Sequence, residues 1–318
     1  MTTSNTFLRC LFISLNVLVF SQPLYADDHI DVEYAEQQSL ASHSLLLDVT
    51  RFDGSFVAVG ERGHILLSDD GKTWSQAEHV PTRSTLTTVF AKGKRLWAAG
   101  HDAVILTSGD GGKTWSRLLF EPERQQAVMD IYFVDENNGV AIGSYGLYLY
   151  TSDAGQSWQE RVVDEEIDYH LNNLVDMGEG KWLIAGEAGY SYRSYDYGQS
   201  WEPLEMSYQG SMWGALQSSD ECVLFFGLRG HVLESCDFGT SWTEVETGSE
   251  ASVSDAARDE EMILLAANSG NLMIRDDSGR FSVYHNSSVV DFSSVLSLGD
   301  GKFLLSGEDG IHHYPEVK

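Results

Sequence analysis

Gly60-Glu-Arg-Gly63-His-Ile-Leu66 is one of seven near-copies of the phrase G-x-x-G-x-(I/L/V)-(L/Y). The second glycine position falls at Gly63, Ala103, Gly146, Gly189, Gly230, Gly270 and Gly310. The intervals are 40, 43, 43, 41, 40 and 40 residues. A fixed period of this length marks a repeat architecture, in which each unit buries its apolar face only against its neighbours. Each copy sits between short apolar runs of strand character, bounded by Gly, Asp and Asn. In the second unit these runs are residues 86–90 and 96–99, and in the last they are 295–298 and 303–305. The glycines suit a tight hairpin that needs positive φ.

A second signature, S-x-D-x-G-x-(S/T)-W, follows the third run of each unit. It is complete around Asp110 and Trp115, Asp196 and Trp201, and Asp237 and Trp242. Thr151 replaces the first Ser in the copy with Asp153 and Trp158. In the first unit the copy reads Asp69-Asp-Gly71-Lys-Thr73-Trp74, with Leu67 in the place of the Ser. The sixth has decayed to Asp277-Ser-Gly279-Arg-Phe281, and the seventh is absent. The chemistry of the box is structural. A short Asp bonds backbone N–H groups of its own turn, and the Trp opens a fourth strand and buries its ring on the neighbouring repeat.

The box is similar to the Asp-box (BNR repeat) of sialidase-type propellers. The longer phrase Tyr132-Phe-Val-Asp135-Glu-Asn-Asn-Gly139-Val-Ala-Ile-Gly143-Ser-Tyr-Gly146 resembles the photosystem II stability and assembly factor family. The resemblance covers about residues 40–315. It implies an all-β chain, a seven-bladed β-propeller of four-stranded blades. The seventh unit shows three strands, ending at Gly310-Ile-His-His-Tyr314, so an N-terminal strand at residues 30–34 is expected to complete the last blade and close the ring.

Residues 1–26 read as a signal peptide. Arg9 precedes an apolar run from Cys10 to Phe20, and Ala26 offers a cleavage site before Asp27-Asp28. The run is too short to span a bilayer, and no cysteine follows it closely, so no direct lipid anchor is expected. Residues 27–318 then form a single propeller in an exported, periplasmic protein. The chain of 318 residues carries a formal charge of −28, and the leader contributes one base and no acid. That charge disfavours nucleic acid and anionic lipid as partners. Beyond the leader only Cys222 and Cys236 remain. An oxidising compartment permits a disulfide. Counting back from the turn sets Cys222 opposite Ser235, one residue out of register, which favours two free buried thiols.

The G-x-x-G turns and the loops between units share one face, and the Asp-boxes lie on the other. Loops on a rigid scaffold are where binding residues sit. The turn face offers Arg62, Arg83, Tyr145, Tyr169, His170, Trp213 and Arg229 as partner-binding candidates, since Arg and aromatic residues anchor interfaces. Trp213 also reads as a core residue. The family resemblance implies an arginine-rich partner patch, for which Arg62, Arg83 and Arg229 are the available positions.

His312-His313 is a tempting metal pair, but adjacent strand residues point to opposite faces. Asp69-Asp70 and Asp110 lack the twelve-residue spacing of an EF-hand. The acidic run Asp164, Glu165, Glu166 and Asp168 reads as a solvated loop. No nucleophile elbow, P-loop or H-E-x-x-H occurs. No cofactor, metal or catalytic residue is therefore expected. The resemblance implies a non-enzymatic scaffold that docks a membrane protein or membrane-associated complex and helps it assemble. A closed ring is self-sufficient, so a monomer is expected. The alternatives are a glycan-binding propeller or a sialidase-like glycoside hydrolase. The latter family pairs its boxes with an aromatic-Arg-hydrophobic-Pro motif, which Arg51-Phe52 and Arg62-Gly63 do not match.

Overall fold

The computed structural model describes residues 32–260, 262–276 and 278–316. They form seven antiparallel sheets arranged as blades, each with its strands in sequence order from the inside outward. Six blades have four strands, and the seventh has three among the described residues. The inner strands are Leu46–Phe52, Leu86–Lys92, Val128–Phe133, Leu171–Asp176, Met212–Gln217, Val253–Asp259 and Phe292–Gly299. The leader, residues 1–26, lies outside the described residues.

The core is not one body but seven layers, each between adjacent blades. Between blades one and two, Val57, Val89, Leu96 and Trp115 pack together. Between two and three, Trp97 stacks on Phe133 with ring centroids 3.7 Å apart. Further layers join three to four, four to five, five to six and six to seven. The seventh sets Leu46, Val49, Phe56 and Leu66 of blade one against Leu304, Leu296 and Ile311 of blade seven. Apolar burial therefore runs around the whole ring without a gap, and each layer contributes through the area it removes from water.

In six of the seven blades the first glycine of the G-x-x-G pair has a reason other than positive φ, and Ala267 takes its place in blade six. Gly60 is extended, but a Cβ there would stand 2.1 Å from the carbonyl oxygen of Leu45. The hairpin and the entry to the inner strand cross so closely that only glycine fits. The left-handed residue is the next but one, Arg62 in blade one at φ 57, followed by Gly63 at φ 72.

Every inner strand also carries an irregularity that residue types do not mark. Pairing with the second strand skips one residue at Leu47, Thr87, Met129, Asn172, Trp213, Ser254 and Ser293. A β-bulge of this kind twists the strand and re-aims side chains. The residue after the bulge then reaches across to the next blade. Asp48 Oδ2 accepts the Val89 N–H at 2.7 Å. Asp130 Oδ2 accepts the Leu174 N–H at 2.8 Å, Asn173 Oδ1 accepts that of Ala215 at 2.9 Å, and Asp255 Oδ2 accepts that of Val295 at 2.8 Å. Blade two uses the bulged residue itself, with Thr87 Oγ1 donating to Val128 O at 2.6 Å. Blade five has Gly214 at this place and shows no such bond. Ser294 of blade seven lies 2.9 Å from Asp48 Oδ1 and 2.8 Å from Asp255 Oδ2, which links blades six, seven and one.

The closing strand expected at residues 30–34 falls partly outside the described residues. Its described part, residues 32–34, forms no strand. The Tyr34 carbonyl accepts from Arg83 Nε at 3.1 Å, and Ala35 N–H donates to Val80 O at 2.9 Å, so this stretch runs beside blade one. The chain then reaches the seam between blades seven and one in a single turn, Ala41–His43. The carbonyl oxygen of Ser42 fills the place where a Cβ on Gly310 would stand, 2.0 Å away.

The two cysteines form a disulfide, against the expectation of free thiols. Val223 pairs with Ser235, so Cys222 stands directly opposite Cys236, with Cα atoms 4.0 Å apart. Pairing closes at Phe226 and Val232, and the five turn residues between them set the two cysteines directly opposite one another. Closing a loop of this length removes about 3 kcal/mol of unfolded-chain entropy.

Dense protein around the inner carboxylates pushes Asp48 up to about 6 and Asp130 and Asp255 up to about 7, although each keeps some exposure to the channel. Burial is the first cause, and repulsion from Asp48 adds to it for the other two. The geometry agrees, since Ser294 has one hydroxyl proton to share between two carboxylates. Folded values above the ordinary 3.8 mean that the stabilising contribution is complete below about pH 4 and is lost as pH rises through 6 to 7. The thermal midpoint should therefore be several degrees higher near pH 5 than near pH 8. Asp130→Asn and Asp255→Asn should each flatten that slope in pH-dependent melting. A slope unchanged in both variants would refute the assignment.

Candidate functional site

Strand order sends the G-x-x-G turns and inter-blade loops to one face and the Asp-boxes to the other. On the turn face, four of the candidates come together. Tyr145, at the turn of blade three, meets the His170 ring edge-on at 5.0 Å. Tyr169 lies against Tyr190, which follows the turn of blade four, with ring centroids 4.9 Å apart and planes tilted by 35°. The Tyr169 carbonyl accepts the Gly146 N–H at 3.0 Å, which ties the loop to that turn. Trp213 is the bulged residue of blade five, and the bulge turns it outward, so it is 39% exposed rather than core. Tyr145, Tyr169 and Tyr190 are 59%, 41% and 39% exposed. Four large rings thus stand open at one corner, where single exposed aromatics would need no explanation.

A cavity of about 260 Å³ opens there, lined by Met129, His170, Asn172, Glu187, Ser211 and Trp213. Glu187 Oε2 accepts the His170 backbone N–H at 3.2 Å and lies 3.7 Å from His170 Nδ1. Asn172 donates its amide to Met212 O at 2.7 Å. Glu187, Asn172, Ser211, Met129 and Tyr190 were not singled out from the sequence. Tyr190 was within reach, because it directly follows a G-x-x-G. The bulged positions were not, because nothing in the sequence marks a skipped pairing.

The three arginines do not join this corner. Arg83 Nη2 pairs with Glu36 Oε1 at 2.9 Å and its Nε bonds Tyr34 O, so it clamps the segment beside blade one. Arg62 is an exposed turn tip 3.8 Å from Glu61. Arg229 borders a separate hollow of about 700 Å³, beside Glu244, Glu246 and Glu250. Its left-handed φ of 58 recurs at Arg62, Asp102, Tyr145 and Ala188, so it belongs to the architecture and marks no site.

The Asp-boxes on the far face share one geometry. Asp110 accepts from the Thr114 N–H at 3.1 Å and from Thr114 Oγ1 at 2.6 Å, while Ser108 Oγ holds the Gly112 N–H at 3.0 Å. Asp153, Asp196 and Asp237 repeat this with Ser157, Ser200 and Ser241. The hydroxyl and N–H of Ser241 hold Asp237 down at about 2. Trp115, Trp158, Trp201, Trp242 and Trp74 each pack in the layer toward the preceding blade. The first box needs a correction. Ser68, not Leu67, is its hydroxyl, and Asp70, not Asp69, is its carboxylate. Asp70 accepts the Thr73 N–H at 2.7 Å and the Lys72 N–H at 2.8 Å, and those bonds hold it down at about 2. This copy is one residue shorter than the others, which hid the register. Asp69 is exposed and, among the described residues, accepts from Ser55 Oγ at 2.8 Å and from no group of its own turn. In the decayed sixth copy Asp276 holds the turn through Ser278, and Asp277 lies outside the described residues.

His312 pairs with Leu305 and His313 with Leu304 on the neighbouring strand. The His312 ring meets Phe292 edge-on, and His313 contacts the backbone at Gly71. The two rings face different neighbours, and among the described residues no cluster of His, Cys, Asp or Glu could hold a metal ion.

A seven-bladed propeller with repeated Asp-boxes and an aromatic corner on its turn face is the class defined by this geometry. The model of the family described as Photosynthesis system II assembly factor YCF48 matches residues 28–124 and 120–280, and the chain belongs to that family. It is similar to the Photosystem II stability/assembly factor HCF136, chloroplastic, of Arabidopsis thaliana, 27% identical over 103 residues. That match covers 31% of this chain and 26% of the relative, so the shared stretch is about a quarter of the relative's length. Among solved structures, YCF48 from Cyanidioschyzon merolae superposes with a TM-score of 0.69 at 19% identity, over 87% of this chain and 96% of that one. A structure described as YCF48 bound to D1 peptide gives 0.70 at 20% identity, over 87% and 93%. The WD40 β-propeller domain of Doa1 gives 0.69 at 15%, over 87% and 95%, so these superpositions speak for the fold alone.

The register of the first box is open to a direct check. Asp70→Ala should lower the thermal midpoint by calorimetry, because it removes the acceptor for several N–H groups of one turn. Asp69→Ala should leave it near the wild-type value. The reverse ranking would assign the box to Asp69.

Proposed function

We propose that this chain is an exported, non-catalytic docking propeller that holds a peptide segment of a membrane protein while a membrane complex is assembled. Membership of an assembly-factor family carries the reading. A related propeller is described with a D1 peptide bound, which supports a peptide segment as the ligand. The Cys222–Cys236 disulfide fits an oxidising compartment such as the periplasm. The docking surface is the turn face at blades three to five, with Tyr145, Tyr169, His170 and Trp213 as its aromatic contacts. Arg62, Arg83 and Arg229 take secondary places at most, since Arg83 is already engaged within the chain.

The test places a photo-crosslinking amino acid at Tyr145 and, as a control, at Ser157 on the Asp-box face. Irradiation of native membranes should trap a membrane-complex subunit from position 145 and not from 157. Trapping from 157 alone would move the docking surface to the other face. No trapping from either, together with hydrolysis of glycans, would replace the scaffold reading with an enzyme.

A further inference from the structure

The cavity at the aromatic corner is built for a positive charge. Its one acidic side chain, Glu187, touches His170, and among the described residues no lysine or arginine pairs with it. Asn172 commits its amide nitrogen to Met212 O, which leaves its side-chain oxygen as an acceptor. Trp213 forms one wall, and Tyr145 stands at the rim against His170. The acidic run Asp164, Glu165, Glu166 and Asp168 lies on the same side, since Asp168 packs against the turn at Gly146. Ring faces carry negative potential and attract cations, the more so where water is thinned out. A carboxylate beside such faces repels an anion and rewards an ammonium or guanidinium group. About 260 Å³ is below the roughly 300–1,000 Å³ of small-molecule sites. It suits one long side chain of an extended peptide.

We propose that this cavity receives a lysine or arginine side chain of the docked peptide, held between Glu187 and the Trp213 and Tyr145 rings. The inference rests on the docking reading above and adds the chemistry of the ligand. It also gives a role to the acidity of this protein, since a chain at −28 steers a cationic segment toward itself.

The probe is an array of 12-residue peptides, identical except for a central Arg, Lys, citrulline or Glu between apolar residues. Citrulline keeps the shape of arginine and removes its charge. Wild-type protein should bind the Arg and Lys peptides at least about tenfold more tightly than the citrulline and Glu peptides. Glu187→Gln should erase most of that preference while its circular dichroism and melting stay near wild type. Glu244→Gln, at the neighbouring hollow, should keep the preference. Trp213→Ala should weaken all four peptides. Equal binding of Arg and citrulline peptides, a preference for Glu, or no binding at all would overturn the inference. If crosslinking from position 145 succeeds while the array shows no charge preference, the docking reading stands and the cationic pocket falls. If both fail, the docking reading falls as well.

Discussion

A bulge at the start of each inner strand decides how the blades hold together. Skipping a pairing frees the following side chain from the sheet ladder and aims it at the next blade's backbone. The Asp48, Asp130, Asn173 and Asp255 side chains then accept N–H groups that would otherwise face the channel unpaired. An unmet buried N–H costs about 1–3 kcal/mol, so the girdle matters more for what it prevents than for what each bond adds. Where Gly214 interrupts it, blades five and six are joined by their apolar layer, by the Arg275–Glu234 ion pair at 2.8 Å and by the Arg229 N–H donating to Ser252 Oγ at 3.0 Å.

The same bulge also builds the candidate site. It turns Trp213 out of the core and sets Met129 and Asn172 at the mouth of the cavity. The turn of blade three adds Tyr145 and that of blade four adds Glu187 and Tyr190. In blade four the residue that lines the cavity, Asn172, stands directly beside the one that bonds the next blade, Asn173. A substitution that straightened the bulge would disturb both at once.

The period of the glycine phrase made the number of blades readable, because six of the seven copies keep the glycine that the close backbone crossing requires. The boxes were readable where their spacing was intact, and Asp110, Asp153, Asp196 and Asp237 do what their spacing implies. A single deletion was enough to shift the first box from Asp70 to Asp69. The disulfide was not legible, because residue types do not show that the turn between Phe226 and Val232 holds five residues rather than four. Tyr145, Tyr169, His170 and Trp213 were legible as turn-face residues, but their convergence was not. Nothing in residue type sets Glu187 apart, and its place in the cavity follows from its carboxylate lying against His170.

Native-state hydrogen exchange at the amides of Val89, Leu174, Ala215 and Val295 tests the girdle most directly. The account predicts that these four exchange only when the whole ring unfolds, as slowly as the most protected amides of the second strands. Exchange as fast as that of the short outer strands, such as Ser75–Gln76, would mean that the channel-facing bonds do not hold the blades together.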